Sequence, residues 1–311
     1  MRRLDRAEGA FLIAAAACPA AVILAKIAPV SALLGAAGGI IILYCMARLG
    51  ARLPDGWAWP RWYGALRLVW CVLLAGYGLS ITRGLFPQAE GSLFVPAVLA
   101  GLCAYALCRG ERAAHRAGAA VWAFILALPA VIALFSVPEM DWRALLAPVR
   151  WREVGLAAAV FVVPGMALRR GARGAGGFAA GAVLLAALPA AVCYGTLGAA
   201  GTAAEAFPLY RAAQTISVFG VMERFEVLLS GALAAGAFFA LAGILEAGLS
   251  GVMKKTNAWG AVGISAAALA LSVPAALLPG WFFAVGSGVC CGLVPLGILL
   301  VGAGKKVAEK E

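Results

Sequence analysis

Residues 225–249 read FEVLLSGALAAGAFFALAGILEAGL, a run whose only ionisable side chains are Glu226 and Glu246. A helix crossing the ~30 Å hydrocarbon core of a bilayer takes roughly 20 apolar residues, and this run is long enough. It lacks the alternation at every second residue that marks a barrel strand. In lipid only a helix or a closed barrel satisfies every backbone polar group, so the stretch predicts a transmembrane helix. Working outward, runs of the same kind occupy 10–26, 30–47, 63–82, 92–108, 117–136, 153–168 and 177–199 before it, and 258–278 and 281–303 after it. The expectation is an all-α polytopic membrane protein of about ten transmembrane helices, with residues 1–311 forming a single integral membrane domain. Composition agrees: 64% of residues are hydrophobic and 13% charged, where soluble chains carry about a quarter charged.

Charge sets the expected orientation. With the N-terminus inside, the cytoplasmic segments hold Arg2, Arg3, Arg6, Arg48, Arg52, Arg61, Arg67, Arg109, Arg112 and Arg116. They also hold Arg169, Arg170, Arg173, Lys254, Lys255, Lys305, Lys306 and Lys310, so most of the 25 Lys and Arg lie on one side. This is the positive-inside pattern, and it puts both termini in the cytoplasm. The net charge of +11 is therefore a topology signal and a contact with anionic membrane lipid; it calls for no nucleic acid. The first run has a basic start like a signal peptide, but Asp5 and Glu8 argue against cleavage.

Ten runs divide into two halves of five, about 8–136 and 150–303. Transporters built as inverted repeats hold their ligand near the midplane, where the first helix of each half is interrupted. Cys18-Pro19-Ala20 lies in the middle of helix 1 and Val163-Pro164-Gly165 in helix 6, both in short runs. Carbonyls and amides freed at such breaks bind a carboxylate, an amine or an ion. Against this stand Pro96, Pro129, Pro189, Pro274 and Pro295, which lie in other apolar runs, and proline is ordinary in membrane helices.

Between the runs, Trp57, Trp59, Trp62 and Tyr63 mark 48–62 as an interfacial segment, and Trp142 and Trp151 do the same on the other side. In 205–224, Leu209, Ala212, Ala213, Ile216 and Phe219 recur at helical spacing after Pro208. A short amphipathic helix lying in the interface is expected there.

No catalytic constellation emerges. His115 is the only histidine and reads as part of a basic cytoplasmic loop, which removes Ser-His-Asp and histidine-based metal sites. Asp5, Asp55 and Asp141 all fall near ends of runs. The eight cysteines lie in apolar runs and read as small packing residues. The sequence thus predicts neither enzyme, nor metal, nor cofactor. Charge inside a membrane is the better pointer, because burying it is costly unless it is paired. Glu226 is the deepest candidate, for a ligand amine or a proton; Glu246 reads as solvated near its helix end. Tyr77 offers a hydroxyl to a ligand, or packs as an ordinary aromatic. Ser230 contacts ligand or bonds its own backbone. Glu223 and Arg224 contact a partner or pair with each other at headgroup level.

The run FPLYRAAQTISVFGVMERFEVLLSGALAAGAFFALAG resembles the spore germination permease family, the B-type subunits of germinant receptors. The resemblance is carried by Phe207-Pro208, Ile216-Ser217 and Glu223-Arg224 followed by Glu226. CRGERAAHRAGAAVW at 108–122 and YCMARLGARLP at 44–54 are similar to family segments in the same order. The chain departs from the family at helix 1, with Ala17-Cys18-Pro19-Ala20 where a glycine-rich break is common, and at helix 6, where no acid follows Pro164-Gly165. The resemblance implies a fold similar to amino acid–polyamine–organocation transporters, with a 5+5 inverted repeat. It also implies a small nutrient, an amino acid, bound between helices 1, 3, 6 and 8, and A- and C-type receptor subunits as partners in a spore inner membrane. The alternatives it leaves open are an amino-acid permease that moves its ligand and a structural subunit without one.

Overall fold

The computed structural model describes residues 2–50, 59–85, 92–163, 175–205, 207–215, 225–253 and 257–308. The helices are α1 (Arg2–Ile23), α2 (Pro29–Gly50), α3 (Arg61–Thr82), α4 (Phe94–Arg109), α5 (Glu111–Ser136) and α6 (Trp151–Val162), then α7 (Ala175–Ala204), the short α8 (Pro208–Thr215), α9 (Phe225–Ser250) and α10 (Ala258–Ala275). A last rod is built from α11 (Gly280–Ser287), a π-helical segment Gly288–Leu293, and α12 (Val294–Ala308). No strand occurs among the described residues. Eight of these stretches are long and apolar enough to cross a membrane, and α4 is a shorter apolar helix. The protein is an all-α integral membrane protein.

Two groups of helices organise the molecule. In one, α1 is enclosed by α5, α7 and α9, while α2 packs on α6 and α7. In the other, α3 and α4 each pack against both α9 and α10.

The α2–α6 contact is the tightest seam. Gly35 and Gly39 lie one turn apart on α2 and let the α6 backbone approach directly. A Cβ on Gly35 would run into the Ala157 side chain and the Val154 carbonyl; one on Gly39 would lie 2.8 Å from the Ala158 carbonyl oxygen. Both helices start at the same end of the molecule. There the Ala28 N–H donates to Glu153 Oε2 at 3.1 Å, and the Arg150 N–H donates to Ser31 Oγ at 3.1 Å. Glu153, paired with Arg150 at 3.2 Å, thus sits at two helix N-termini, where a negative charge is favoured.

The start of α3 crosses the end of α9 as closely. Gly64 meets the Gly251 backbone, and Gly248 meets Cys71 one further turn along. Between these contacts Arg67, only 6% exposed, reaches the last turn of α9. Its Nε donates to the Ala247 carbonyl at 2.7 Å, and its Nη2 donates to the same carbonyl and to Ser250 Oγ. Arg67, counted from the sequence among the cytoplasmic-side charges, is thus a buried cap of a helix end. The expected loop position of His115 is corrected. It lies in the second turn of α5, 9% exposed, with its ring 4.5 Å from that of Phe11.

Tyr63, expected as an interfacial anchor, is 1% exposed in α3. Its hydroxyl has a definite task. In the π segment each N–H reaches back five residues, and that of Val294 bonds the Val289 carbonyl. The next donor in the series would be residue 295, a proline with no N–H. The Cys290 carbonyl it leaves empty is filled by Tyr63, whose hydroxyl donates to it at 3.1 Å. Tyr63→Phe strands that carbonyl, and we expect a loss of about 1 kcal/mol in thermal or chemical unfolding. Unchanged stability would show that Tyr63 serves packing alone.

Other expectations hold. α8 falls where an amphipathic helix was predicted, with Leu209, Ala212 and Ala213 buried; Ile216 and Phe219 lie outside the described residues. Trp142 and Trp151 are exposed, as interfacial aromatics are. The cysteine reading holds in part: Cys18, Cys71, Cys103, Cys193 and Cys291 are buried, whereas Cys45 and Cys108 are exposed near the ends of α2 and α4.

Candidate functional site

A cavity of about 120 Å³ lies between α1, α3, α6, α9 and α11. Each helix turns one stripe of residues toward it. From α1 come Phe11, Ala15, Cys18, Pro19 and Val22; from α3, Leu74, Tyr77, Gly78 and Ile81; from α6, Leu156, Ala159, Val160 and Val163. α9 adds Ala237, Ala240, Leu241 and Ile244, and α11 adds Gly280, Phe283, Ala284 and Ser287. The steps of three and four residues in every stripe are those of one helical face.

The cavity exists because the helices meet through small residues above and below it. Gly236 brings α9 onto α1, where a Cβ would lie 3.2 Å from the Cys18 nitrogen. Gly243 does the same against Phe11, at 3.2 Å from its Cζ. Between these two contacts Ala237 and Ala240 face Ala15 and Cys18 with side chains too small to fill the space. α6 and α3 do not close against each other, and the cavity occupies the gap.

Its polar inventory is short. Tyr77, Cys18 and Ser287 are the lining residues with polar side-chain atoms. The Tyr77 ring stacks on Phe283 at 3.9 Å and 11°, which fixes its direction. Its hydroxyl points to the start of α11, 3.0 Å from where a Cβ on Gly280 would be. Among the described residues, neither this hydroxyl nor that of Ser287 has a hydrogen-bond partner. The backbone adds acceptors. Pro19 has no N–H to return to the Ala15 carbonyl, four residues back, and residue 164, also a proline, has none for the Val160 carbonyl; Ala15, Pro19 and Val160 all line the cavity. Among the described residues, no carboxylate, imidazole, ammonium or guanidinium lines it. The cavity offers shape, two hydroxyls and a thiol, which suits holding a molecule.

Four of the sequence-predicted residues meet here: Cys18, Pro19, Tyr77 and Val163. Ala20 and Ser230 are buried in α1 and α9 and do not line the cavity. Pro164, Gly165, Glu223 and Arg224 lie outside the described residues, as does the side chain of Glu226 in the first turn of α9. Glu246, expected as solvated, is half-buried and has an interaction partner.

The expected break in helix 1 is not found. α1 runs through Pro19 to Ile23, and the α-helix gives way to a 3-10 turn only at Leu24–Lys26. Phe11 to Ala21 are buried on nearly all sides except at Pro19. Packing from α5, α7 and α9 holds the helix across the one hydrogen bond the proline removes.

Compared with known proteins, the chain matches no family model and no curated protein sequence. The family resemblance therefore rests on the quoted residues alone.

Sequence reasoning named helix 8, now α9, as a wall but missed its lining residues, and it missed the α11 wall altogether. For α9 the signal was present, because Ala237, Ala240 and Ile244 share a face with the glycines that touch α1. For α11 there was none: its run is uniformly apolar, and Ser287 and Phe283 carry no mark that separates them from lipid-facing neighbours.

Proposed function

We propose that this chain is a small-molecule-sensing membrane subunit of the germinant-receptor B type, with its ligand seated in the cavity. The observation that carries this reading is the cavity's walls. Four of the five come from the first, third, sixth and eighth long apolar runs, the four named by the resemblance, and include Cys18, Pro19, Tyr77 and Val163, while the fifth, α11, comes from the tenth.

The ten-helix, 5+5 part of the reading is supported by the packing. Let α1, α2, α3, α4 and α5 exchange with α6, α7, α9, α10 and the α11–α12 rod. The α1–α7 contact then becomes α2–α6, α3–α10 becomes α4–α9, and α1–α5 becomes α6–α11, and all are present. The contacts α5–α7 and α5–α9 likewise map onto α12–α2 and α11–α3. α1–α9 and α4–α5 break the pattern: the counterpart α6–α3 is held apart where the cavity lies, and α10 does not pack on the last rod as α4 packs on α5. Sensing is favoured over pumping because the lining has no carboxylate among the described residues to couple an ion. A permease is the second reading, and the exchangeable halves favour it, since alternating access works by rocking one unit against another. Both readings keep the termini cytoplasmic; the receptor reading adds A- and C-type subunits as partners.

The test is ligand-dependent stabilisation of purified protein across amino acids, sugars and small neutral alcohols. A ligand at a hundred times its Kd should add about 2.7 kcal/mol of stability. Ala240→Leu, which fills the cavity, should abolish the response. No response to any class from the wild type would leave only the structural-subunit reading. Uptake of the bound ligand into vesicles would select the permease.

A further inference from the structure

We propose that the ligand of this cavity is a neutral, largely apolar molecule about the size of benzene with a single hydroxyl or carbonyl group, and not a zwitterionic amino acid. This rests on the reading of the cavity as a ligand site and replaces the amino acid that the family resemblance implies.

The lining decides the class. An amino acid brings an ammonium and a carboxylate into the membrane interior, and each needs an opposite charge or several oriented dipoles to offset desolvation. Among the described residues, no charged side chain lines the cavity. The usual substitute, an unwound helix with free amides and carbonyls, is missing on the α1 side, where the helix continues through Pro19. The carbonyls of Ala15 and Val160 each lack a helical donor, because residues 19 and 164 are prolines, but two neutral carbonyls carry no charge to balance an ammonium. A partly buried guanidinium does exist at the C-terminal end of α3, in Arg83, whose buried Nε and Nη2 have no hydrogen-bond partner among the described residues. Arg83 lies beyond Ile81 and is not part of the lining.

A neutral occupant meets no such obstacle. The volume, about 120 Å³, is close to that of an engineered apolar cavity of about 150 Å³ that takes up benzene. The stacked Tyr77–Phe283 pair supplies a flat aromatic wall. Tyr77 provides a hydroxyl at the start of α11, and Ser287 a second one two turns further along that helix, neither with a partner among the described residues. A hydroxyl or carbonyl on the ligand satisfies the Tyr77 hydroxyl without leaving a charge unpaired.

Matched probes separate the classes. L-phenylalanine and benzyl alcohol share a benzyl group, as L-leucine and 3-methyl-1-butanol share an isobutyl group. Each is titrated calorimetrically into the protein in lipid nanodiscs, with empty nanodiscs subtracted. We expect saturable binding of the alcohols and none of the amino acids. Tyr77→Phe should weaken alcohol binding about three- to tenfold, the worth of one hydrogen bond, and Ala240→Leu should abolish it. Both variants are checked for an unchanged melting temperature, and Ala159→Leu serves as an independent filler if either is unstable. Saturable binding of an amino acid with none of its alcohol overturns the inference and leaves the sensing reading intact, and loss of that binding in Arg83→Met would show where the carboxylate goes. Alcohol uptake indifferent to all three cavity variants means partition at the lipid surface and also overturns it. Binding of neither class removes this inference, while a response to some other solute in the stability screen would still uphold the sensing reading.

Discussion

Gly35→Leu should leave no folded protein to purify, and Gly35→Ala should lower stability measurably in detergent. The added Cβ has nowhere to go. Its nearest neighbours are the Ala157 side chain and the Val154 main-chain oxygen of α6, and neither is the movable end of a long side chain. Overpacking of a tight contact costs about 1–3 kcal/mol. Alanine gains up to ~1 kcal/mol over glycine in helix propensity, so the steric term wins at this site. Gly38 is the internal control. It lies on the same helix three residues on, with nothing within 4 Å of its added Cβ. Gly38→Ala should therefore keep the propensity gain and leave the melting temperature equal or higher. If the two alanine variants melt together, α2 and α6 do not cross as described. A leucine variant that accumulates normally would point to the same conclusion, and it would also remove the seam that holds the α6 wall of the cavity in place.

That seam shows what the sequence made readable. The apolar runs announced the helices because lipid imposes one requirement, a satisfied backbone over a fixed thickness, on every span. Gly35 and Gly39 were in plain view as a small-residue pair, but nothing in the pattern named α6 as their partner. Partner choice depends on three-dimensional shape, and in a membrane apolar patterning no longer tells a buried face from a lipid-facing one. The same loss of contrast hid Phe283 and Ser287. Tyr63 and Arg67 failed for another reason. Polar groups near a run's end read as interfacial by default, yet both are buried because each satisfies a backbone carbonyl on a different helix. The proline of helix 1 was legible as a missing hydrogen bond; that packing would hold the helix through it was not.

Arg67→Met should destabilise the protein by about 1.5–3 kcal/mol, the range for hydrogen bonds from a charged donor. Arg67 closes the C-terminal end of α9, where carbonyls lack intrahelical donors and the helix dipole favours a cation. Without it, the Ala247 carbonyl keeps only the Ser250 hydroxyl, which donates to it at 3.0 Å. Ser250→Ala should therefore cost less, under about 1 kcal/mol, because the guanidinium remains. Arg67→Lys should recover part of the loss. A single ammonium supplies charge but not the planar fork that reaches a carbonyl and a hydroxyl together. The order Met, then Lys, then Ser250→Ala in decreasing damage is the signature of a cap. A surface arginine serving orientation alone would give near-zero effects for all three in a purified protein, because an exposed charge contributes little to folding. The result also bears on the cavity. α9 is anchored at one end by Arg67 and against α1 by Gly236 and Gly243, so freeing the anchored end should loosen the Ala237–Ile244 wall. Arg67→Met ought then to weaken ligand binding although the residue lies outside the lining. Binding unchanged in a destabilised Arg67→Met protein would mean that the α1 contacts alone set the position of that wall.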